Sequence, residues 1–140
     1  MKRRAFSVSL YCRHEGSVLL VKHKRLGMWL PVGGELEPGE TPMEAACREL
    51  EEETGHTEYL FPVIHKVLGA PQGLLLYEEH NVGAKGLHMN FAFLVEVPSK
   101  DLPPNREFTG HIWVESLTEV PPGCPQNVQE ALAFALTVGV

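Results

Sequence analysis

Cysteine is scarce in this chain: Cys12, Cys47 and Cys124 are the only three in 140 residues. They are widely separated, odd in number and form no C-x-x-C pair, which argues against a disulfide framework or a thiolate zinc site. Long apolar runs are missing too. No window approaches the roughly 18 uninterrupted apolar residues that a membrane-spanning helix needs. The start of the chain, Met1-Lys2-Arg3-Arg4, is basic, but it continues as Phe6, Val8 and Leu10 alternating with Ser7 and Ser9. That is strand periodicity and not the apolar core of a secretory leader. The expectation is a cytoplasmic protein without a membrane partner. Positive charge is also in short supply. Twelve Lys and Arg face eighteen Asp and Glu, a net charge of -6, which argues against binding to a nucleic-acid polymer.

What is present is ordinary globular material, 44% hydrophobic and 21% charged. A chain of this length suits one domain, spanning 1–140. Its acidity is concentrated in one place. Residues 34–56 hold eight glutamates (Glu35, Glu37, Glu40, Glu44, Glu49, Glu51, Glu52 and Glu53) and a single base, Arg48. Outside that segment acids and bases nearly balance.

The pattern predicts strands over 4–13 and 17–22, joined by a His14-Glu15-Gly16 turn. Residues 23–40, punctuated by Gly27, Pro31, Gly33, Gly34, Pro38 and Gly39, read as a long loop, and long loops inside compact domains are usually functional. A helix follows over 41–54. Thr41 is its N-cap, Pro42 occupies the first turn, Glu44 completes a T-x-x-E capping box and Gly55 stops it. Strands are expected over 58–68, 73–79, 88–97 and 111–115, and a last helix over 127–137 with Val128, Leu132 and Ala135 on one stripe. The fold class is therefore α/β or α+β, a mixed sheet flanked by helices.

On a helical wheel of about 100° per residue, Glu49, Glu52 and Glu53 share one sector, while Met43, Ala46, Cys47 and Leu50 form an apolar stripe. Like charges at i, i+3 and i+4 repel, and crowding raises carboxylate pKa values. A hard divalent cation such as Mg²⁺ or Mn²⁺ resolves that conflict, because it takes oxygen ligands and is held by a few carboxylates together with substrate phosphates. The adjacent glycines, Gly33 and Gly34, let the backbone turn sharply and approach a ligand, and a carbonyl from such a turn is a further oxygen donor. Arg48 is within reach of Glu40 or Glu52 and can orient a carboxylate by a bidentate contact.

The run Gly34-x5-Glu40-x7-Arg48-Glu49-Leu50-x-Glu52-Glu53-x-Gly55-x resembles the signature of the Nudix hydrolases, G-x5-E-x7-R-E-U-x-E-E-x-G-U. Each fixed glycine, glutamate and arginine is in register, and only the final, usually aliphatic, position departs, being His56. The resemblance implies a Nudix fold, an α/β/α sandwich in which the box forms a loop-helix-loop. It implies cleavage of a nucleoside diphosphate linked to another moiety, with Mg²⁺ or Mn²⁺. It makes Glu49, Glu52 and Glu53 metal ligands, with the Gly33 carbonyl as a further candidate and Glu40 and Arg48 as the orienting pair. The water-activating group is Glu52 by this reading. Glu107, in the loop before the Trp113 strand, is the later-loop candidate for an extra ligand or base. Many relatives are homodimers.

Around this box, Lys22 and Arg25 are candidates to contact phosphates and Trp29 to stack on a base or pack beneath the loop. Gly34 lets the substrate approach the backbone, and Tyr77, His88 and Asn90 are candidates to read substrate edges. Pro71, fifteen residues past the box, hints at ADP-ribose but also suits an ordinary turn. The leading expectation is a nucleoside triphosphate hydrolase of the sanitising type, yielding a monophosphate and pyrophosphate. ADP-ribose or a nucleotide sugar stands as the alternative substrate. A catalytically silent nucleotide-binding module is the alternative of another class.

Overall fold

The computed structural model describes residues 3–139. Met1, Lys2 and Val140, at the ends of the single domain expected over 1–140, lie outside the described residues.

Seven strands form one mixed sheet. They are β1 (Arg4–His14), β2 (Ser17–His23), β3 (Trp29–Leu30), β4 (Val32–Glu35), β5 (Leu74–Asn81), β6 (Leu87–Glu96) and β7 (Phe108–Val114), with helices α1 (Pro42–Thr54) and α2 (Gln126–Thr137). The main path runs β3-β2-β1-β6-β5, while β4 pairs with β1 and β7 with β2. The spine is the parallel pairing of β1 with β6, from Arg4 opposite Leu87 to Arg13 opposite Glu96.

The period-2 pattern sorts side chains onto two faces. Val8, Leu10 and Cys12 of β1, Leu19 and Val21 of β2, and Phe93 and Val95 of β6 pack with Ala45, Ala46 and Leu50 of α1. Their neighbours Tyr11, Val18, Leu20, Ala92 and Leu94 pack on the other side with Val128, Ala131, Leu132 and Ala135 of α2. The mixed sheet is thus sandwiched between two helices, as expected. No helix among the described residues is long and apolar enough to cross a membrane.

Helix α1 forms for the reasons its sequence advertises. The Glu44 N–H donates to Thr41 Oγ1 (3.1 Å) and the Thr41 N–H donates to Glu44 Oε1 (2.9 Å), closing a reciprocal capping box. Gly55 ends the helix in the left-handed region at φ 74° and returns its N–H to the Glu51 carbonyl.

Three expectations need correction. The stretch read as a loop over 23–40 contains β3 and β4. Val32 to Glu35 pairs antiparallel with Leu10 to Ser7, and two glycines in four residues hid the alternation that marks a strand. The stretch 58–68 is not a strand. It contributes one isolated bridge, Leu60 to Glu96, and Pro62 has no N–H to extend the ladder. The buried face of α1 includes Ala45 and Glu53, whereas Cys47 is only half-buried.

Candidate active site

Strand β4 and helix α1 converge on one carboxylate. The Gly33 N–H donates to Glu53 Oε2 at 2.8 Å, and Glu53 is only 6% exposed. Burial is the largest influence pushing the Glu53 carboxyl up, to about 10; the neighbouring Glu49 and then Glu107 add to it, and the Gly33 N–H opposes it. Gly34 is a glycine for a spatial reason. A Cβ there would stand 2.5 Å from Glu49 Oε1, so the Glu49 carboxylate occupies the space a side chain would need. At Gly33 a Cβ would stand 2.1 Å from the Val8 carbonyl oxygen. The contact seen at Gly33 is through its N–H.

Arg48 ties the loop to the helix. Its Nε and Nη2 donate to Glu40 Oε2 (2.6 Å) and Oε1 (2.9 Å), a bidentate pair. Its Nη1 reaches Glu49 Oε1 (2.8 Å) and Glu52 Oε2 (3.2 Å), and its Nη2 also reaches the Glu35 carbonyl (3.2 Å). The hydrogen bond from Arg48 holds the Glu40 carboxyl below the usual carboxylate range. Glu40 and Arg48 are therefore brought together, as are Glu49 and Glu53. Glu52 hangs on the same guanidinium but faces solvent, at 57% side-chain exposure. Among the described residues no three His, Cys, Asp or Glu side chains are grouped to hold a metal ion as they stand.

Gly33, Gly34 and Glu53 open onto a cleft of about 770 Å³, which Glu40, Arg48, Glu49 and Glu52 do not line; its volume is within the rough 300–1,000 Å³ range of small-molecule sites. Gly33, Gly34, Glu53, Glu107, Arg25 and Asn90 all line it. Asn90 is 4% exposed and is fixed by Ser7 Oγ, which donates to its Oδ1 at 2.8 Å, while its Nδ2 donates to Ser9 Oγ at 3.1 Å. Lys22 and Trp29 do not line the cleft. They face each other in the β2–β3 pair, with Lys22 exposed and Trp29 packed against the α2-side core. Tyr77 is on the far face of β5, where its hydroxyl donates to Glu79 and its ring tilts on Phe91. Pro71 is exposed in a turn.

Two contacts in or beside the cleft were not singled out from the sequence, although His88 itself was. Arg3 donates to both oxygens of Glu35, and His88 Nε2 lies 3.2 Å from Glu35 Oε2. On the opposite wall, Asn127 Nδ2 donates to Glu78 Oε1 at 2.6 Å. A signal existed for part of this. His88 and Asn90 are polar at positions that continue the face of Ala92 and Leu94, a break in an otherwise apolar alternation.

A family model described as NUDIX domain matches residues 1–131, and the chain belongs to that family. The crystal structure of a NUDIX-family hydrolase from Clostridium perfringens is 26% identical, with 96% of this chain and 97% of that one covered at a TM-score of 0.78. An RNA pyrophosphohydrolase of Erythrobacter litoralis is 52% identical over 48 residues, and a putative 8-oxo-dGTP diphosphatase of Bacillus subtilis is 49% identical over 43 residues. Those segments cover 34% and 31% of this chain, and the chain spans 29% of the length of each of these two relatives.

Members of this family generally use divalent cations, and the donor set fits one. Glu49 and Glu53 are two carboxylates pressed together, one of them buried, and among the described residues the only cation that an ion pair places on either is the Arg48 guanidinium at Glu49. Hard oxygen donors in that arrangement suit Mg²⁺ or Mn²⁺.

Proposed function

We propose that the chain is a divalent-cation-dependent hydrolase that splits the diphosphate linkage of a nucleotide, with a nucleoside triphosphate as the preferred substrate and a monophosphate and pyrophosphate as products. The observation that carries this reading is the buried Glu53, pinned by the Gly33 N–H beside Glu49 at the wall of a cleft of nucleotide size. Glu49, Glu53 and, after a side-chain rotation, Glu52 would hold Mg²⁺ or Mn²⁺. When bound, such a cation neutralises diphosphate charge and lowers the pKa of attacking water.

The chain's own groups have distinct parts in this reading. Arg48 keeps Glu49 and Glu52 oriented while Glu40 fixes Arg48. Glu52, the exposed member, accepts the proton of the attacking water, with Glu107 across the cleft as the other base. Arg25 lines the same cleft and meets phosphate oxygens. The partner is a small-molecule nucleotide, and the setting is the cytoplasm.

The test is a panel of nucleoside triphosphates, ADP-ribose and nucleotide sugars in Mg²⁺, scored for monophosphate and pyrophosphate against inorganic phosphate. Monophosphate and pyrophosphate from a triphosphate, lost in Glu53→Gln, are the expected result. Turnover of ADP-ribose or a nucleotide sugar alone would replace the substrate, and binding without turnover of any compound would overturn the enzymatic reading.

A further inference from the structure

We infer that His23 is a positioning residue: its imidazole holds the turn between β2 and β3 in the form that carries Arg25 into the cleft. This rests on the nucleotide reading above, in which Arg25 meets phosphate oxygens, and it assigns the side chain that puts Arg25 there.

The turn begins at the last residue of β2. The His23 N–H donates to the Met28 carbonyl (2.9 Å) and the Gly27 N–H donates to the His23 carbonyl (2.8 Å), with Gly27 in the left-handed region at φ 68°. The Lys24 N–H donates to the Glu107 carbonyl at 2.8 Å, so the turn also leans on the chain just ahead of β7. Among the described residues these bonds leave two N–H groups at the tip, those of Arg25 and Leu26, without a backbone acceptor. The His23 ring takes both. Its Nδ1 accepts from the Arg25 N–H and from the Leu26 N–H, each at 3.2 Å. A ring nitrogen that accepts carries no proton, so the imidazole is the neutral tautomer with its hydrogen on Nε2. Burial first and Lys85 second hold the imidazole below its ordinary range; Arg25 adds to this and Glu107 opposes it.

What the ring holds is the backbone of one particular cation. Arg25 and His23 line the same cleft as Gly33, Gly34 and Glu53. Among the described residues no carboxylate stands at ion-pair distance from Arg25, whereas Arg3, Arg13 and Arg48 are each bound to glutamates. A guanidinium left free beside the cleft is available to an incoming phosphate, which it binds through charge-assisted hydrogen bonds of fixed geometry. The direction of its stem is set by the backbone at positions 25 and 26, and His23 supplies the side-chain acceptor for both N–H groups there. Asparagine provides the control. Its Oδ1 sits where the His23 ring places Nδ1, and it takes the N–H groups two and three residues on in turns and caps.

The experiment measures KM and kcat for a nucleoside triphosphate in Mg²⁺ on the wild type, His23→Ala, His23→Asn, Arg25→Ala and the double variant His23→Ala with Arg25→Ala, with folding of each checked by circular dichroism. His23→Ala should raise KM about 10-fold, the loss of one charge-assisted contact, with kcat within about twofold of wild type. His23→Asn should restore KM to within about twofold of wild type. Arg25→Ala should raise KM by a similar factor, and adding His23→Ala to it should change nothing further, because the two residues act as one unit. An unchanged KM in His23→Ala, a His23→Asn protein as impaired as His23→Ala, or effects that multiply in the double variant overturns the inference and leaves the hydrolase reading intact. A wild type that cleaves no nucleotide removes the hydrolase reading instead, and calorimetry with inorganic pyrophosphate on the same five proteins then decides. Binding weakened in His23→Ala and restored in His23→Asn supports the positioning role, and equal or absent binding overturns it.

Discussion

Gly33 and Glu53, twenty residues apart, are joined by a 2.8 Å hydrogen bond from a strand N–H to a helix carboxylate. The bond draws an acidic side chain into a place where only 6% of it meets solvent. A helix face that carries glutamates would ordinarily leave them solvated. Here one is buried, another lies against it, and the cost to folding is accepted at the point where a cation-dependent reaction would need concentrated negative charge.

That relationship sets the pH dependence. The Glu53 carboxyl is raised from its ordinary 4.5 to about 10 by burial first and Glu49 second. A carboxyl raised by folding binds more protons in the folded state. Its contribution is fully present below the unfolded value and is lost as pH rises through the folded value. In EDTA, the wild type should therefore lose stability between pH 6 and pH 9 relative to Glu53→Gln, which keeps an acceptor for the Gly33 N–H and carries no charge. Thermal melts of both proteins at the two pH values check this, and a parallel pH response would count against it. Mg²⁺ should raise the melting temperature of the wild type more than that of the variant, whose turnover should fall on the order of 100-fold.

The two neighbouring glycines should fail in different ways. An added Cβ at Gly34 meets the far end of the Glu49 side chain, whereas at Gly33 it meets the Val8 backbone. Gly34→Ala should fold with a small stability change and lose activity as Glu49 is displaced. Gly33→Ala should open the β4–β1 pairing and cost about 1–3 kcal/mol. Urea denaturation alongside kcat separates the two, and a Gly33→Ala protein of wild-type stability would show that the strand can yield.

Helix α1 was legible because its boundaries are written in local chemistry: the Thr41–Glu44 cap, Pro42 and Gly55. The pairing of Arg48 with Glu40 was legible because a loop leading straight into the capped start of α1 keeps Glu40 near the first turns of the helix. Strand β4 was not, since Gly33 and Gly34 carry no side chains to alternate and are positioned by β1, over twenty residues earlier. The segment 58–68 misled in the opposite sense. Tyr59, Leu60, Phe61, Val63 and Ile64 have strand-forming composition, but Pro62 interrupts the donors and Leu60 and Val63 stay exposed. Arg3–Glu35 and Glu78–Asn127 pair across 32 and 49 positions, and no local pattern encodes a contact made only by the assembled sheet.

Arg48 should not tolerate lysine. Its planar fork serves both oxygens of Glu40 while a third nitrogen serves Glu49 and Glu52, and an ammonium cannot hold that geometry. Arg48→Lys should lower kcat about 10- to 100-fold with a smaller change in KM. It should also change the acid limb of stability. The Glu40 carboxyl is depressed by Arg48, so its contribution is present above the ordinary 4.5 and is lost as pH falls through the folded value. Denaturation followed below pH 5 should be shallower in the variant, and a kcat equal to wild type would remove Arg48 from its orienting role.

The one departure from the family pattern has a readable cost. His56 occupies a position that is usually aliphatic, and its Nε2 is buried without a hydrogen-bond partner. It follows the Gly55 helix stop, where its N–H lies 3.3 Å from Thr54 Oγ1. A leucine keeps that backbone contact, fills similar space and removes the unpaired nitrogen, whose burial costs about 1–3 kcal/mol. His56→Leu should therefore raise the melting temperature by about 2–4 °C for each kcal/mol gained, with kcat/KM within about twofold of wild type. The site glutamates Glu49 and Glu53 lie one to two turns earlier on α1, so the gain should appear equally in EDTA and in Mg²⁺. A variant that melts lower, or that loses activity while folded, would mean that the imidazole has a partner during turnover and that the departure is functional.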